Sequence, residues 1–146
     1  MALKVELKPN ERIILGNIVL RNGSDRARFF IEGSAPILRE KDILTPETAN
    51  SPAKRIYLAV QLMYLAGESE TNHEVYFSLV RDFLTASPSS LTLISEINNR
   101  ILNGDLYKAL KSARELMAYE KRLLDHVQRS PSLREDSSNN PQRPGS

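Results

Sequence analysis

The residues of this chain best able to do chemistry are the basic side chains of its first 45 residues. Strand-like segments there carry Lys4, Arg21, Arg26, Arg28 and Arg39. Because successive strand residues point to opposite faces, several of these cations can share one exposed face of a small sheet. Arginine neutralises phosphate and stacks on or hydrogen-bonds an exposed base, so the pattern favours single-stranded RNA as a ligand. The alternative is that these are ordinary solvated cations flanked by Glu and Asp.

A second candidate basic site lies further along the chain. Lys54 and Arg55 open a predicted helix, where the alternative interpretation is a solvated first turn. Arg39 also admits a second interpretation, in which it forms an ion pair with Glu40, Asp42 or a helix carboxylate. That pair would join the two parts of the chain and leave no ligand-binding role for Arg39.

Two other positions break the hydrophobic patterns around them. Phe29 and Phe30 are adjacent in a predicted strand, so one ring points away from the core and could stack on a base, unless both rings are buried. Glu120 interrupts the apolar stripe of the last predicted helix between Met117 and Leu124. We expect Glu120 at the rim of the core or paired with a cation such as Arg55.

Enzyme chemistry has little support in the sequence. The histidines His73 and His126 stand alone, without a second ligand at metal-binding spacing, and the chain has no Cys. No nucleophile elbow, phosphate-binding glycine loop or EF-hand pattern occurs. The sequence therefore predicts a protein that is not an enzyme and has no metal or cofactor.

Length and composition limit the class of protein. A chain of 146 residues, 40% of them hydrophobic, suits one ordinary domain or two small modules sharing a core. No apolar run approaches the roughly 20 residues that span a bilayer, and no signal peptide is visible, so we expect a cytoplasmic protein without membrane association. Residues 1–45 hold eight basic and six acidic side chains, whereas residues 46–127 hold nine and ten. A polyanion would therefore meet the N-terminal part.

Residues 1–45 favour short strands. Leu3, Val5 and Leu7 alternate with polar residues, and β-rich segments follow at 12–15, 17–21, 26–32 and 36–39. The Asn22-Gly23 pair predicts a tight hairpin whose second strand is residues 26–32. Such strands form a small antiparallel sheet or barrel that is marginal alone and must pack on another element. Since a small sheet has edges to protect, a homodimer is also expected.

From residue 46 the hydrophobic period becomes helical. Four helices are predicted near 52–66, 71–86, 88–102 and 105–127, and Ser51-Pro52 is a strong start signal for the first, which should be the most buried. Short loops favour an antiparallel four-helix bundle. Residues 128–146 are polar and rich in Ser, Asn and Pro, which predicts a disordered tail. The predicted fold class is α+β, with a β-module at 1–45 and a helical bundle at 46–127.

Several strings of the sequence resemble one known family. They are LKPNERIILGN, APILREKDI, TPETANSPAKRIYLAVQLMYL and LYKALKSARELMAYEKRLL, within residues 1–125. On these strings the chain resembles the FlbT family of flagellin post-transcriptional regulators. The resemblance implies a non-enzymatic regulator that associates with the 5′ untranslated region of flagellin mRNA and changes its translation or stability.

Residues 1–45 also resemble, more distantly, the carbon-storage regulator CsrA, a small RNA-binding β-protein. Glu11, the segment Ile14-Leu15-Gly16 and the segment from Ala35 to Glu40 occur in a CsrA-like order. By position, this resemblance implies that Arg39 contacts RNA together with Leu3 to Val5 of the first strand. Arg39 is then the central candidate, with the other cations assisting.

A different function class remains open. The FlbT resemblance also implies a link to the small flagellar regulator FlaF, so the helices could bind flagellin or a FlaF-type partner. Effects on mRNA would then be indirect. The slightly acidic helical part favours this alternative, because it offers no broad cationic surface.

Overall fold

The computed structural model describes residues 2–129, and these form five strands and four helices. The strands are β1 (Ala2–Leu7), β2 (Arg12–Leu15), β3 (Ile18–Arg21), β4 (Ala27–Glu32) and β5 (Ile37–Arg39). The helices are α1 (Pro52–Ala66), α2 (Glu70–Ala86), α3 (Leu91–Leu102) and α4 (Leu106–Arg129). Short 3-10 turns, Glu40–Asp42 and Pro88–Ser90, precede the first and third helical segments. The predicted α+β class is confirmed.

The C-terminal boundary differs from the prediction. Helix α4 continues through Arg129, so residues 128 and 129 are helical instead of belonging to a disordered tail. The remainder of the predicted tail, from residue 130 onward, lies outside the described residues.

The strands pair as two small antiparallel sheets. Strand β1 pairs with β4, in a register that sets Lys4 opposite Phe30 and Glu6 opposite Arg28. Strand β2 lies between β3 and β5 in the second sheet. The pairing of β1 with β4 joins residues about 25 positions apart, whereas β2 and β3 are neighbours in sequence.

The expected hairpin at Asn22-Gly23 is wrong. Residues 27–32 return to β1 instead of pairing with β3, and the tight hairpin is the one between β2 and β3, where Leu15 lies opposite Ile18. Gly16 has a φ of +63°, which suits the first central position of a two-residue hairpin loop. A single Gly between two apolar runs hid this turn from the sequence pattern.

Asn22 explains why its own segment does not form the hairpin. Its side chain is buried and its amide donates to the carbonyls of Leu7, Lys8 and Asp25 at 3.1, 2.8 and 2.9 Å. These bonds tie the loop to the end of β1. Satisfying backbone carbonyls next to the small core outweighs the local turn preference, because an unpaired buried carbonyl costs more than a turn contributes.

The β3-β2-β5 sheet is the middle layer of the molecule. One of its faces carries Ile13, which packs with Val5 and Leu7 of β1 in a small core between the sheets. Its other face carries Leu38 and Ile14, which belong to the large core of the helices. Neighbouring residues of β2 therefore serve two cores, as the period of two requires.

Helix α1 packs against α2 and α4, α4 packs against α3, and the Tyr76 hydroxyl of α2 donates to the Asn98 side chain of α3 at 2.6 Å. Ser51 caps α1 by accepting a hydrogen bond from the Lys54 N–H, and Pro52 occupies the first turn. Helix α1 lies centrally and buries Ile56, Val60 and Met63 completely. The prediction that α1 is the most buried helix is confirmed, because α1 lies between two helices and the sheet.

Three side chains on one face of α1 hold the backbone that follows the middle sheet. The hydroxyl of Tyr64 accepts from the Ile37 N–H at 2.9 Å and donates to the Ile37 carbonyl at 3.1 Å. The amide of Gln61 bonds both backbone groups of Leu44 at 2.9 Å, and the Tyr57 hydroxyl donates to the Asp42 carbonyl at 2.6 Å. These contacts join residues before position 45 to the helix that follows it. The division into two modules at that position stays a prediction.

We predict that Gln61→Leu destabilises the fold although it adds hydrophobicity. The substitution leaves the amide and carbonyl of Leu44 without their partners, which costs about 1–3 kcal/mol for buried groups. Urea unfolding measures the free energy of unfolding. The control is Asn99→Leu, the same kind of change at an exposed position of α3, which should change stability little. Equal stability of the two variants would contradict the role assigned to Gln61.

Candidate nucleic-acid interface

The structure divides the predicted basic residues among several surfaces. Lys4 and Arg28 lie on the outer face of the β1–β4 sheet with the exposed Phe30, Lys4 directly opposite it on β1 and Arg28 two residues away on β4. Arg28 forms an ion pair with Glu6 at 3.2 Å on the same face. One of the two adjacent phenylalanines therefore points to solvent, and it lies beside two of the cations.

Two of the predicted cations lie elsewhere. Arg21 ends β3 opposite Arg12, on the other sheet. Arg26 precedes β4 in the loop and is exposed, so it belongs to no strand. The five basic residues do not share a single face, because two sheets rather than one carry them.

Arg39 lies between the two sheets. One terminal nitrogen donates to the carbonyl of Glu6 at 2.6 Å and contacts the Glu11 carboxylate at 3.5 Å. The alternative interpretation of Arg39 named Glu40, Asp42 or a helix carboxylate as its ion-pair partner; the partner is Glu11 instead, since the register of β5 against β2 turns Arg39 toward β1. Its Nε is buried and has no hydrogen-bond partner among the described residues.

Glu11 is held as a carboxylate. The backbone N–H of Lys8 donates to it at 2.8 Å, and this bond, reinforced by the charge of Arg39, lowers the pKa of Glu11 despite the opposing effect of desolvation. A charged Glu11 keeps the Arg39 guanidinium in place beside β1.

A cleft opens beside Arg39, between the β1 and β5 edges and the helices, with a volume of about 480 Å³. Its wall is rich in cations, with Asp42 as the acidic residue among the described lining residues. The basic side chains are Lys4, Arg39, Lys41 and Arg114, and the aromatic ones are Tyr64 and Tyr107. The lining therefore carries more basic than acidic side chains, and its arginines are ion-paired, Arg39 with Glu11 and Arg114 with Asp42.

Asp42 offsets one of these positive charges, because it forms an ion pair with Arg114. The Arg114 guanidinium lies 3.2 Å from the Asp42 carboxylate, whose side chain is 15% exposed. Burial lowers the pKa of Arg114, but the neighbouring Tyr57 hydroxyl and the charge of Asp42 outweigh it and raise the pKa overall. For Tyr57 burial acts in the opposite direction and raises the pKa, because the charged form of a phenol is its deprotonated form. This network attaches α4 to the turn after β5.

The two tyrosines of the cleft differ in how far their side chains are available to a ligand. Tyr64 is tied to Ile37 by both of its hydroxyl bonds. Tyr107 is 43% exposed, packs at 5.8 Å from the Tyr64 ring, and has the Lys111 ammonium 5.1 Å from its own centroid. A flat ligand such as a base could stack on the exposed part of Tyr107. Lys111 adds another cation at this end of the cleft.

Only some of the residues that line this cleft are among those predicted from the sequence. Lys4 and Arg39 were candidates, whereas Lys41, Tyr107 and Arg114 were not. Lys41 lies in a run of charged residues, which gives no local signal of a ligand site. Tyr107 and Arg114 are seven residues apart, close to two helical turns, so one face of α4 carries both. That spacing was a readable signal, but nothing in the pattern of α4 showed that this face meets the sheet.

The second candidate basic pair, Lys54 and Arg55, lies in the first turn of α1 beside polar and acidic neighbours. Lys54 contacts the Asn50 side chain at 3.3 Å, and Arg55 borders a groove that also contains Asp82. Glu120 was expected at the rim of the core or paired with a cation such as Arg55; it is partly buried at the rim and accepts bonds from the Ser51 hydroxyl at 2.6 Å and the Ala53 N–H at 3.0 Å. A carboxylate at a helix N-terminus satisfies free N–H groups and the helix dipole, which explains its position in the apolar stripe.

The described residues contain no cluster of three or more His, Cys, Asp or Glu side chains placed to hold a metal. His73 lies 2.9 Å from Glu68 at the start of α2. No helix within residues 2–129 is both long and apolar enough to cross a membrane.

The comparison with known families decides the class of protein. Residues 3–124 match the family described as "Flagellar protein FlbT". This chain belongs to the FlbT family. The resemblance read from the sequence strings is thereby confirmed.

Relatives with curated names support the same family. The chain is 65% identical over 124 residues to "Probable flagellum biosynthesis repressor protein FlbT 1" of Bradyrhizobium diazoefficiens, covering 84% of this chain and 85% of the relative. It is 50% identical to the Rhodopseudomonas palustris protein, covering 85% and 98%. It is 35% identical to "Flagellum biosynthesis repressor protein FlbT" of Caulobacter vibrioides, covering 87% and 92%.

Family membership also bears on the enzyme question. The relatives are named as repressors of flagellum biosynthesis, and the family is one of regulatory proteins, so the prediction that this chain is not an enzyme is confirmed. No solved structure is significantly similar to the chain. The likeness of residues 1–45 to CsrA therefore stays a prediction.

The contacts of Glu11 predict a pH-dependent stability. The folded state lowers the pKa of Glu11 below its ordinary value of 4.5, so its contribution is present at neutral pH and is lost as pH falls through the folded pKa. Wild type should therefore exceed Glu11→Gln in free energy of unfolding at pH 7, and the gap should close in acid. Thermal unfolding across pH measures it, with Glu47→Gln at an exposed turn as control. A gap that persists in acid would contradict the role of the carboxylate charge.

Proposed function

We propose that this chain represses flagellum synthesis by associating with the 5′ untranslated region of flagellin mRNA and changing its translation or stability. The names of its relatives support the repression, and the cationic cleft between the sheets and α4 supports RNA as the ligand. The observation that carries the proposal is the convergence of Lys4, Arg39, Lys41 and Arg114 on one cleft that also contains tyrosines.

The charge of the cleft suits a phosphate backbone. Lys4 and Lys41 are exposed and can neutralise phosphates at the mouth. Arg39 is partly committed to Glu6 and Glu11, but its buried Nε retains an unused donor. The Arg39 side chain as a whole is 40% exposed, so its charge can attract a phosphate in the cleft although this Nε is itself buried.

The aromatic residues favour a single strand over a duplex. A cleft of about 480 Å³ admits a splayed base, whereas a duplex presents its bases stacked inside and unavailable. The exposed part of Tyr107 provides a stacking surface, which is worth about 1–3 kcal/mol per base in proteins that bind single strands. Both parts of the chain would then contact the RNA, with the sheet supplying cations and α4 supplying the ring.

The remaining predicted cations would have supporting roles. Lys4 also belongs to the outer face of the β1–β4 sheet, where Phe30 and Arg28 continue the surface away from the cleft. Arg21 and Arg26 lie apart from it, so we assign them long-range attraction, which salt screens within about 10 Å at 0.1 M. The expected order of effects on binding is cleft residues first and Arg21 and Arg26 last.

A different observation favours the protein-binding alternative. A groove of about 360 Å³ between α2 and α3 exposes Phe77 and Leu102, with exposed fractions of 50% and 80%. Apolar side chains that exposed suit a protein partner such as flagellin or a FlaF-type regulator. The groove lies on helices that contribute nothing to the cationic cleft, so both functions could reside in one chain.

We predict that Lys4→Ala combined with Lys41→Ala weakens binding to a flagellin leader RNA. Affinity should fall with salt by about 0.7 log units per log unit for each phosphate neutralised, so the double variant should lose about 1.4 of the wild-type slope. Fluorescence anisotropy across salt concentration measures both. The control is Arg81→Ala, which removes an exposed cation of α2 and should leave the slope unchanged.

Tyr107→Ala tests the stacking surface in the same assay. It should weaken binding without changing the salt slope, because it removes no charge. Equal wild-type affinity for the leader and for an unrelated RNA would overturn the specific-binding proposal. In that case pull-down with flagellin, comparing wild type with Phe77→Ser, tests the alternative.

A further inference from the structure

The two small sheets expose outer edges on two sides of the molecule, and side chains protect one of these sides. On the side of the cleft, Tyr64 bonds both backbone groups of Ile37 at the edge of β5. Arg39 bonds the Glu6 carbonyl at the edge of β1. An unpaired strand edge is a template for another chain, so occupying it with side chains blocks such pairing.

The opposite side has no such protection within the described residues. Strand β4 pairs with β1 alone, and no described side chain or loop bonds its other edge. This edge is six residues long, Ala27–Glu32, and it is rich in residues that favour strands. It is therefore an open place to add a strand.

The core beside this open edge is also incomplete. An apolar opening of about 210 Å³ lies between the two sheets, where Phe29 and Ile31 of β4 face Leu15 and Leu20 of the other sheet. All of its described lining residues are apolar. Phe29 remains 36% exposed and Phe30 63% exposed. Exposed aromatic rings at an unpaired edge indicate an interface.

We propose that a second copy of this chain occupies this side, by antiparallel pairing of β4 with its own copy. A twofold interface must be complementary to itself, and the sequence RARFFIE of residues 26–32 meets this condition. With the axis at Phe29, Arg26 lies opposite Glu32 of the copy. With the axis at Phe30, Arg28 lies opposite Glu32 of the copy.

In both registers apolar residues meet on the inner face of the sheet and charged residues meet on the outer face. In antiparallel pairing, opposed residues point to the same face, so Phe29 meets Phe29 or Ile31 on the inner side. The outer side then carries Phe30 with the Arg–Glu pairs. The product is a continuous sheet in the order β1, β4, β4 of the copy, β1 of the copy, and its inner face covers the apolar opening of each chain.

The dimer leaves the RNA cleft accessible. The cleft borders the far edge of β1, and pairing occurs on the far edge of β4. The proposal therefore stands or fails independently of RNA binding, because loss of one surface leaves the other intact.

Charge reversal tests the pairing. Glu32→Arg places cations opposite cations, and Arg26→Glu combined with Arg28→Glu places acids opposite acids. Each variant alone should therefore shift toward monomer. Because the twofold symmetry repeats each contact, the dissociation constant should rise by about tenfold. An equimolar mixture of the two variants should restore dimer. Sedimentation velocity measures all three, with Glu47→Arg as the control. A monomeric wild type, or variants as dimeric as wild type, would overturn the proposal.

Introduced cysteines locate the twofold axis. The natural chain has no Cys, so a single one can form a disulfide only with its copy. Residues on the axis lie close enough to crosslink, so Phe29→Cys or Phe30→Cys should give a covalent dimer under mild oxidation. Leu102→Cys, which is 80% exposed on α3, is the control for random collision. Crosslinking no faster than in this control, for both variants, would contradict β4 pairing whatever the oligomeric state.

Discussion

The rest of the structure depends on one helix face that acts as a partner for extended backbone. Tyr57, Gln61 and Tyr64 are spaced four and three residues apart, so they lie in a row along α1. Together they bond the backbone of Asp42, Leu44 and Ile37. These residues belong to β5 and to the segment that connects β5 with the helices. Extended backbone buried against a helix would otherwise carry unpaired polar groups, at a cost comparable to losing the core contacts nearby.

This row decides where the functional surfaces lie. Because it holds β5 and the following turn on α1, the turn presents Asp42 to Arg114 of α4, and the cleft forms between them. It also blocks the β5 edge, so strand addition is left to the opposite side of the sheets. The cationic cleft and the open edge of β4 are thus two consequences of the same anchoring.

The local parts of the fold could be predicted because their signals are local. Ser51 and Pro52 mark the start of α1, and the period of two marks β1, since capping and amphipathicity depend on neighbouring residues. The turn at Asn22 could not be predicted in this way. Its amide bonds carbonyls about 15 residues earlier, and this long-range contact overrides the preference of Asn-Gly for a hairpin. Arg39 was a candidate by position, but its contacts with Glu6 and Glu11 required the register of β5.

The sequence by itself determined the α+β class, most helix limits, the concentration of cations in the first 45 residues and the family to which the chain belongs. These follow from composition, periodicity and strings of neighbouring residues. Only the tertiary structure decided that β4 returns to β1, that α4 brings Tyr107 and Arg114 to the sheet, and that Glu120 caps α1. The physical reason is that a hydrophobic pattern shows which side of an element is buried but carries no record of what covers it. The partner is selected by competition among all surfaces for the burial of apolar area and the pairing of polar groups.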